Sequence, residues 1–372
     1  MKKRIFSISL VVFLVLSLLL CFSSCGKNEK SYDVENYRTT MQFYDDFKIL
    51  QIADLHFGIE TDIEDQLNLL KKNIWETKPD LIILTGDNFM YASKGVVKSL
   101  IKSLNDECMQ LTSERGRLTK FTLTFGNHDN QGDYPRYFIN EVMSSYTTKD
   151  GDEIKDSKYG AFVDFEDDNL FGLTNFYIDL VDDRTKSLDL ADVKYRIHII
   201  DSNTYHFMGP DYDYDVIHSE QLEHAVNIYE KSIDKDYIGL AFFHIPLVEY
   251  QEAWDQYKAG TSAGQGQFQE NALYGYENNG SYQKLKEANI VSYFCGHDHI
   301  NYGDFIYTDK DGDKSIFSYG VKATNQLYHD TEMIGYKLIT LKNNVSKEEF
   351  VSIDYIKENF KNETARYEHY EN

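Results

Sequence analysis

Three apolar runs separated by two stretches of helical periodicity set the strongest limit on how this chain can fold. The runs cover residues 47–53, 80–85 and 121–125, and the helical patterns begin near Thr61 and cover residues 96–107. Each run is short, continuous and apolar, which is typical of a strand buried on both faces. The alternation of such strands with helices predicts a βαβαβ unit in which a parallel sheet carries helices on its faces. We therefore predict an α/β fold.

Each of these strands runs into a short polar cluster, and two similar clusters follow in the second half of the chain. Parallel strands bring their carboxyl ends to one edge of a sheet, where ligands bind, so we expect the clusters to converge. Any single cluster has a simpler interpretation as turn chemistry, because Asn and Asp tolerate left-handed conformations and bond their own backbone. Together the clusters indicate a site. They are Asp54-Leu55-His56, Gly86-Asp87-Asn88, Gly126-Asn127-His128-Asp129, His244 and Gly296-His297-Asp298-His299.

The clusters supply oxygen and nitrogen ligands without sulfur, a set that suits Mn, Fe, Zn or Mg and does not suit a thiolate site. Two pairs within them are spaced i, i+2, which on extended backbone points both side chains to one side. The total of seven candidate ligands is too many for one ion and enough for two ions that share a bridging carboxylate. The candidates are Asp54, His56, Asp87, Asn127, His244, His297 and His299.

This order of clusters resembles the calcineurin-like metallophosphoesterase superfamily, whose blocks are D-x-H, G-D, G-N-H-D/E, a single H and G-H-x-H. All five blocks occur in order between Asp54 and His299. The purple-acid-phosphatase-like members are the most similar, although His56 stands where the purple enzymes have Gly, and Met90 where their tyrosinate ligand is expected. The resemblance implies a four-layer α/β/β/α sandwich with a metal site at the carboxyl ends of the strands. The two departures argue against a purple Fe(III) centre.

The same resemblance implies two divalent metal ions, with Mn, Fe or Zn favoured over Mg. His128 would donate to the phosphoryl oxygen or leaving group, and Asp129 would orient it. Two cations lower the pKa of a bridging water and stabilise the charge that develops as it attacks a phosphate mono- or diester. One metal would be held by Asp54, His56, Asp87 and His299, and the other by Asp87, Asn127, His244 and His297, with Asp87 bridging.

Residues 250–279 form the most loop-like segment of the chain, rich in Gly, Gln and Asn. A loop of this length in a compact domain is usually functional or disordered, so we expect a lid or substrate wall. Tyr274 and Tyr276 are candidate substrate contacts, and Lys322 is a candidate phosphate contact. Residues 209–215, rich in Asp and Tyr, are interpreted as a turn.

The amino terminus has the composition of a targeting segment. Three basic residues precede an apolar run over residues 5–22, and the run ends close to Cys25. This pattern resembles a bacterial lipoprotein signal, which predicts a lipid on Cys25 and an extracytoplasmic protein anchored to the cell membrane. The alternative is an uncleaved signal anchor, since the run approaches the length that spans a bilayer. The predicted segments are a signal peptide at 1–25, a tether at 26–45, a metallophosphoesterase domain at 46–357 and a polar tail at 358–372.

The charge of the chain constrains its partners. The sequence has 38 Lys+Arg and 61 Asp+Glu, and residues 1–25 contain three of the basic groups and no acidic ones, so the remainder carries 35 against 61, a net charge of −26. Such a field repels nucleic-acid phosphates. We therefore expect a small phosphate-ester substrate and keep a metal-dependent nuclease as an alternative function. Separately, we expect a monomer.

A non-catalytic metal-binding envelope lipoprotein is a second alternative, and the presence of His128 argues against it. Outside the targeting segment only two cysteines are present, Cys108 and Cys295. Cys295 lies in a buried-strand pattern, which favours packing over redox chemistry, but the sequence leaves a disulfide between the two open.

Overall fold

The computed structural model describes residues 33–58, 63–132, 136–147, 158–163, 170–182, 192–324, 327–329, 334–342 and 360–363. The chain divides into two compact units, Met1–Glu35 and Asn36–Asn372, and the fold below is that of the second unit. The expected signal peptide and Cys25 lie outside the described residues. No helix among the described residues combines the length and the apolar composition that crossing a bilayer requires.

The described residues form strands β1 to β15 and helices α1 to α6, with short 3₁₀ turns at Val34–Tyr37 and His128–Asn130. The strands in chain order are Arg38–Gln42, Phe47–Ile52, Leu81–Thr85, Lys120–Thr124, Asn175–Val181, Val193–Ile200, Tyr205–Met208, Asp211–Tyr214, Ile238–Phe242, Gly264–Gln267, Ile290–Cys295, Tyr302–Thr308, Lys314–Tyr319, Tyr336–Leu341 and Phe360–Glu363. The helices are Ile63–Thr77, Lys94–Arg115, Arg136–Ser145, Ser219–Lys231, Glu249–Lys258 and Ser281–Glu287.

The predicted βαβαβ unit is present as β2-α1-β3-α2-β4, with β3 parallel to both neighbours. Strands β14 and β15 extend this sheet by antiparallel pairing, giving the order β15-β14-β2-β3-β4. The second sheet has the order β1-β5-β6-β9-β11-β13-β12-β10, and its centre, β6-β9-β11-β13, is parallel. Each sheet therefore presents the carboxyl ends of several parallel strands at one edge.

The helix ends follow local capping rules, as α2 illustrates. The Ser93 side chain accepts a hydrogen bond from the backbone N–H of Val96 and so satisfies one of the free donors of the first turn. At the other end Gly116 adopts φ +61°, the left-handed conformation in which glycine ends helices. Between these caps the buried face of the helix includes Leu100, Leu104 and Leu111. Local sequence thus fixes both the length of α2 and the face that it turns toward the sheet.

The two sheets contact each other through side chains of the first sheet. Gln51 Nε2 donates to the carbonyl of Cys295 at 3.0 Å, and Thr124 Oγ1 donates to the carbonyl of Ile200 at 2.8 Å. Helix α2 packs on β4. On the second sheet, Leu222, Tyr250 and Leu285 of α4, α5 and α6 share one buried core with its strands. The layers are therefore helix, sheet, sheet and helix, and the predicted four-layer α/β/β/α fold is confirmed.

Two predicted segment boundaries are wrong. Residues 38–42, expected in the tether, form β1, which pairs parallel with β5. Met41 is buried there, and Arg38 Nη2 lies 2.8 Å from Asp179 Oδ2, so contacts with β5 order a segment that has no periodicity of its own. Residues 360–363, expected in the polar tail, form β15, which pairs with β14.

The expected long loop at residues 250–279 is also wrong in part, because it contains most of α5 and all of β10. Tyr250 and Ala253 are fully buried one helical turn apart, and this short apolar stripe is hidden among the polar residues of the segment. Strand β10 forms because its backbone pairs antiparallel with β12. Cys108 and Cys295 are free and buried, so the disulfide that the sequence left open is absent between these two described residues.

The buried His224 predicts a measurable loss of stability in acid. Burial lowers its pKa to about 4, whereas an unfolded histidine titrates near ~6.5. As the pH falls between these values, the unfolded chain binds a proton that the folded chain excludes, so the free energy of unfolding decreases. We therefore expect the decrease between pH 7 and 4.5 to be smaller in His224→Gln than in the wild type by roughly 2–3 kcal/mol, when both chains are unfolded by urea at the two pH values. An equal decrease in both chains would contradict this assignment.

Candidate metal centre

Five strand ends deliver the candidate ligands to one place. Asp54 and His56 follow β2, Asp87 follows β3, Asn127 follows β4, His244 follows β9, and His297 and His299 follow β11. All seven side chains are buried. The sequence-based expectation that strand exits from both halves of the chain converge therefore matches the geometry of the structure.

Several of these residues adopt a backbone conformation that side chains rarely accept. The left-handed region brings Cβ close to the following carbonyl and costs about 1–2 kcal/mol per residue outside glycine. Such strain clusters at functional sites because it aims side chains that an ordinary turn would not aim. The candidate ligands with left-handed backbone are Asp54 at φ +58°, His56 at +51°, Asp87 at +47° and His297 at +79°.

Glycines beside the ligands make room for them. A Cβ on Gly126 would lie 2.3 Å from Asp87 Oδ1, and a Cβ on Gly86 would lie 2.5 Å from the ring of His244. Such distances are far inside van der Waals contact, so no other residue fits at either position. The glycines of the G-D and G-N-H-D blocks are thus required by the close approach of the ligand side chains.

The ligand atoms form two groups that share one carboxylate. Ligand atoms of Asp54, His56, Asp87 and His299 lie within 4.8 Å of one another, as do those of Asp87, His244 and His297. Asp87 Oδ2 is 3.3 Å from His56 Nε2 in the first group and 3.2 Å from His244 Nε2 in the second. Asp87 is therefore placed to bridge two ions.

The hydrogen bonds of His244 and His299 direct the Nε2 atom of each ring into the two groups. His244 Nδ1 lies 2.9 Å from the carbonyl of Thr85, and His299 Nδ1 lies 2.9 Å from the carbonyl of Tyr328. A carbonyl only accepts, so each Nδ1 carries a proton and a cation would bind at Nε2, where it would replace the proton that Asp87 favours on His244. His297 Nδ1 lies 3.2 Å from His244 Nε2, and a cation would satisfy both nitrogens.

Asn127 offers a further buried oxygen, at the end of β4. Its Nδ2 donates to the hydroxyl of Tyr205 at 2.8 Å, which turns Oδ1 in the opposite direction. Oδ1 is buried and has no hydrogen-bond partner in the described part of the chain. A buried acceptor without a donor is costly unless something else binds it. The residues present therefore fit two divalent cations with oxygen and nitrogen ligands.

The electrostatics of the cluster favour charged carboxylates. Burial alone would raise the pKa values of Asp54 and Asp87, but their histidine neighbours outweigh burial and hold both pKa values below the usual range. Burial would lower the pKa of His244, but the carboxylate of Asp87 outweighs it and raises this pKa to about 9. Burial and the nearby His244 lower the pKa of His297 to about 3. The cluster thus keeps its carboxylates ionised, as cation binding requires.

His128 lies at the edge of the cluster, with Nε2 3.9 Å from Asp87 Oδ2, and its side chain is 22% exposed. Asp129 does not orient it. The Asp129 carboxylate accepts hydrogen bonds from the backbone N–H groups of Phe89 and Gly126 at 2.8 Å each and from Asn88 Nδ2 at 3.1 Å. The catalytic role expected for Asp129 is therefore corrected: it ties together the loops after β3 and β4.

Lys322 also differs from its expected role. Its Nζ is buried and lies 3.1 Å from the carbonyl of Asp54 and 3.0 Å from His56 Nδ1. The ammonium is therefore buried against the loop after β2, which carries Asp54 and His56, and is not placed to contact phosphate. Tyr276 stacks on His206 with ring centroids 3.9 Å apart, and Tyr274 is 40% exposed beside a pocket. Their substrate contacts stay predictions.

Two tyrosines that the sequence analysis did not select contact the ligands directly. Tyr205 accepts the hydrogen bond from Asn127, and the ring of Tyr214 lies edge-on to His297 with centroids 4.2 Å apart. They pair across the hairpin β7–β8. The segment interpreted as a turn, residues 209–215, is therefore a strand in part, since Asp211–Tyr214 form β8. The available signal was the alternation of aromatic residues on both sides of Gly209-Pro210, a period of two that indicates a hairpin.

The sequence model of the Calcineurin-like phosphoesterase family matches residues 47–301, more than half of the chain. The chain belongs to this family. It is 24% identical over 272 residues to "Phosphatase DCR2" of Saccharomyces cerevisiae, covering 68% of this chain and 44% of that protein. It is 27% identical over 296 residues to "Probable inactive purple acid phosphatase 28" of Arabidopsis thaliana, covering 73% of this chain and 70% of that protein.

Among solved structures, a dimetal phosphatase from Danio rerio is similar at 11% identity with a TM-score of 0.45, covering 81% of this chain and 94% of that chain. Relatives named as purple acid phosphatases agree with the expected branch of the family. The yeast protein is more than twice as long as the part that this chain covers.

The contact between Tyr205 and Asn127 predicts a metal-binding defect. In Tyr205→Phe the Asn127 amide loses the acceptor that fixes its orientation, so Oδ1 is no longer fixed as a ligand oxygen. Loss of such supporting contacts typically weakens metal affinity by about 10–100-fold. Titration of the metal-free chain with Mn²⁺ should show this loss for one of two ions. Tyr212→Phe, an exposed tyrosine of the same hairpin, should bind both ions like the wild type, and equal affinities in all three chains would contradict the role of Tyr205.

Proposed function

We propose that this protein hydrolyses phosphate mono- or diesters with two divalent metal ions held at the candidate metal centre. The observation that carries the proposal is the position of Asp87, whose Oδ2 lies 3.2–3.3 Å from a ligand nitrogen of each group. A shared buried carboxylate is the feature that a dinuclear site needs and that an ordinary histidine cluster lacks. Membership of the phosphoesterase family supports the same reaction class.

Two bound divalent cations would lower the pKa of a bound water and neutralise the oxygens of the phosphoryl group. The protein's own residues would bridge the two ions, position His128 and bind each ion. Asp87 belongs to both ligand groups and so fixes their relative position. Its Oδ1 accepts a hydrogen bond from the backbone N–H of His128 at 2.8 Å. That hydrogen bond places the His128 imidazole beside the bridging carboxylate. Asn127 and the histidines would hold the ions.

His128 is the residue that we assign to proton donation. Its imidazole is partly exposed, unlike the buried candidate ligands, so it can reach a bound ester. Its Nδ1 is buried without a hydrogen-bond partner among the described residues, and its Nε2 is the nitrogen nearer Asp87. Donation of a proton to the leaving-group oxygen from such a position lowers the barrier to P–O cleavage.

We further propose that the enzyme acts outside the cytoplasmic membrane, anchored through a lipid on Cys25. The support is the order of basic residues, apolar run and cysteine in residues 1–25. The net charge of −26 on residues 26–372, from 35 Lys+Arg against 61 Asp+Glu, favours small esters over nucleic acid. A lipid at one end and an acidic folded part fit an enzyme that meets small soluble phosphates at the cell surface.

A second candidate function is metal binding without catalysis. Its support is the naming of relatives as probable inactive purple acid phosphatases. The two functions differ in what His128 does: a non-catalytic site does not need an unligated imidazole beside the bridging carboxylate.

Hydrolysis of p-nitrophenyl phosphate and bis-p-nitrophenyl phosphate tests the proposal. The metal-stripped chain should be inactive and should regain turnover with Mn²⁺, Fe²⁺, Zn²⁺ or Mg²⁺. His128→Ala should keep its bound metals and lose about 10²–10⁴-fold in kcat, because general acid catalysis contributes that much. Unchanged turnover in His128→Ala would remove that residue from the mechanism. A wild-type chain that binds two metals and hydrolyses neither ester would favour the non-catalytic function.

A further inference from the structure

The hairpin β7–β8 has one face made entirely of aromatic rings. In its antiparallel register Tyr205 pairs with Tyr214, and Phe207 pairs with Tyr212. Side chains alternate between the faces of a strand, and directly paired residues share a face, so these four rings lie together. The opposite face carries His206, Met208, Asp211 and Asp213.

The inner pair of this aromatic face contacts the metal centre. Tyr205 accepts the hydrogen bond from Asn127, and Tyr214 lies edge-on to His297. The outer pair is open to solvent, with Phe207 70% and Tyr212 64% exposed. The rings form a continuous surface, since the centroid of Tyr212 is 5.2 Å from that of Tyr205 and 6.1 Å from that of Phe207. An aromatic surface therefore leads outward from the second metal group.

The outer rings lie close to the metal centre along the hairpin. Alternate residues of a strand are about 6.6–6.8 Å apart, so the outer rings lie one such step beyond the pair that touches the ligands. An ester whose phosphoryl group is bound at the metal centre would reach the outer rings by extending its organic group along this surface. Planar rings of a ligand can stack on exposed aromatic side chains. Small polar organic groups gain no comparable binding energy there, because the rings carry no charge.

We propose that the aromatic face formed by Tyr205, Phe207, Tyr212 and Tyr214 is the substrate-specificity surface, and that it selects phosphate esters whose organic group is a planar aromatic ring, such as aryl or nucleoside esters. The inference rests on the proposed function, since it requires the phosphoryl group at the metal centre. Phe207 and Tyr212 bind the organic group, while Tyr205 and Tyr214 join the surface to the ligands.

Two phosphonates measure this preference without the influence of leaving-group reactivity, because neither is hydrolysed. Phenylphosphonate and methylphosphonate are titrated calorimetrically into the full-length chain loaded with Mn²⁺. Stacking on one aromatic side chain changes affinity by about 5–150-fold, so the wild type should bind phenylphosphonate more tightly by at least about 5-fold. Tyr212→Ala and Phe207→Ala should each reduce this ratio without changing methylphosphonate affinity.

Met208→Ala is the matched control, because Met208 is 50% exposed on the opposite face of the same hairpin. It should keep the wild-type ratio. A ratio that is unchanged in Tyr212→Ala and Phe207→Ala, or equal affinities in the wild type, would overturn the specificity surface and leave the metal-centred function standing. Binding of neither phosphonate would contradict the proposed function and the inference together. A phenyl preference that the two variants remove, without turnover of any ester, would support the surface and contradict hydrolysis alone.

Discussion

The interaction on which this structure depends is the burial of Asp87 among three imidazoles. Its Oδ2 lies 3.2 Å from His244, 3.3 Å from His56 and 3.9 Å from His128. Removing a carboxylate from water costs several kcal/mol unless partners replace the lost hydration. The histidines supply part of that replacement, and two divalent cations would supply the rest. The same burial that makes the cluster costly without cations would favour their binding.

The scaffold holds this cluster through contacts that leave the ligands little freedom. The loops after β2 and β3 pair with each other, since Asp54 N–H donates to the Gly86 carbonyl and His56 N–H to the Asp87 carbonyl. Asp129 joins the loops after β3 and β4 through its three hydrogen bonds. Ligands with left-handed backbone stay in place because these neighbours fix them. Such preorganisation is what catalysis by positioned charge requires.

The sequence was sufficient to predict the α/β class and the place of the site, because both follow from local patterns. Buried parallel strands appear in the sequence as continuous apolar runs. The polar residues that follow them must meet at the carboxyl edge of the sheet. The expected ligands Asp54, Asp87 and His244 are close together for this reason. The roles of Asp129 and Lys322 were not predictable, since each depends on which neighbour the folded chain places within hydrogen-bonding distance.

Tertiary contacts also explain the remaining errors. Strand β1 is ordered by pairing with β5 and has no apolar periodicity of its own, so its sequence resembles a tether. The hairpin β7–β8 is small and largely exposed. The polar residues between its aromatic residues make the segment look like a turn in the sequence. Its importance comes from docking on Asn127 and His297, a contact between segments far apart in the chain. The proposed substrate-specificity surface lies in this least predictable element, as is common when loops on a fixed scaffold carry specificity.

Electron paramagnetic resonance of the Mn²⁺-loaded chain measures most directly whether Asp87 bridges two metals. Ions that share a carboxylate lie about 3.5–4 Å apart and couple magnetically. We expect two Mn²⁺ per chain with an exchange-coupled spectrum in the wild type, and loss of that coupling in Asp87→Asn. One Mn²⁺ per chain, or two that give only the six-line signal of isolated ions, would contradict a dinuclear centre.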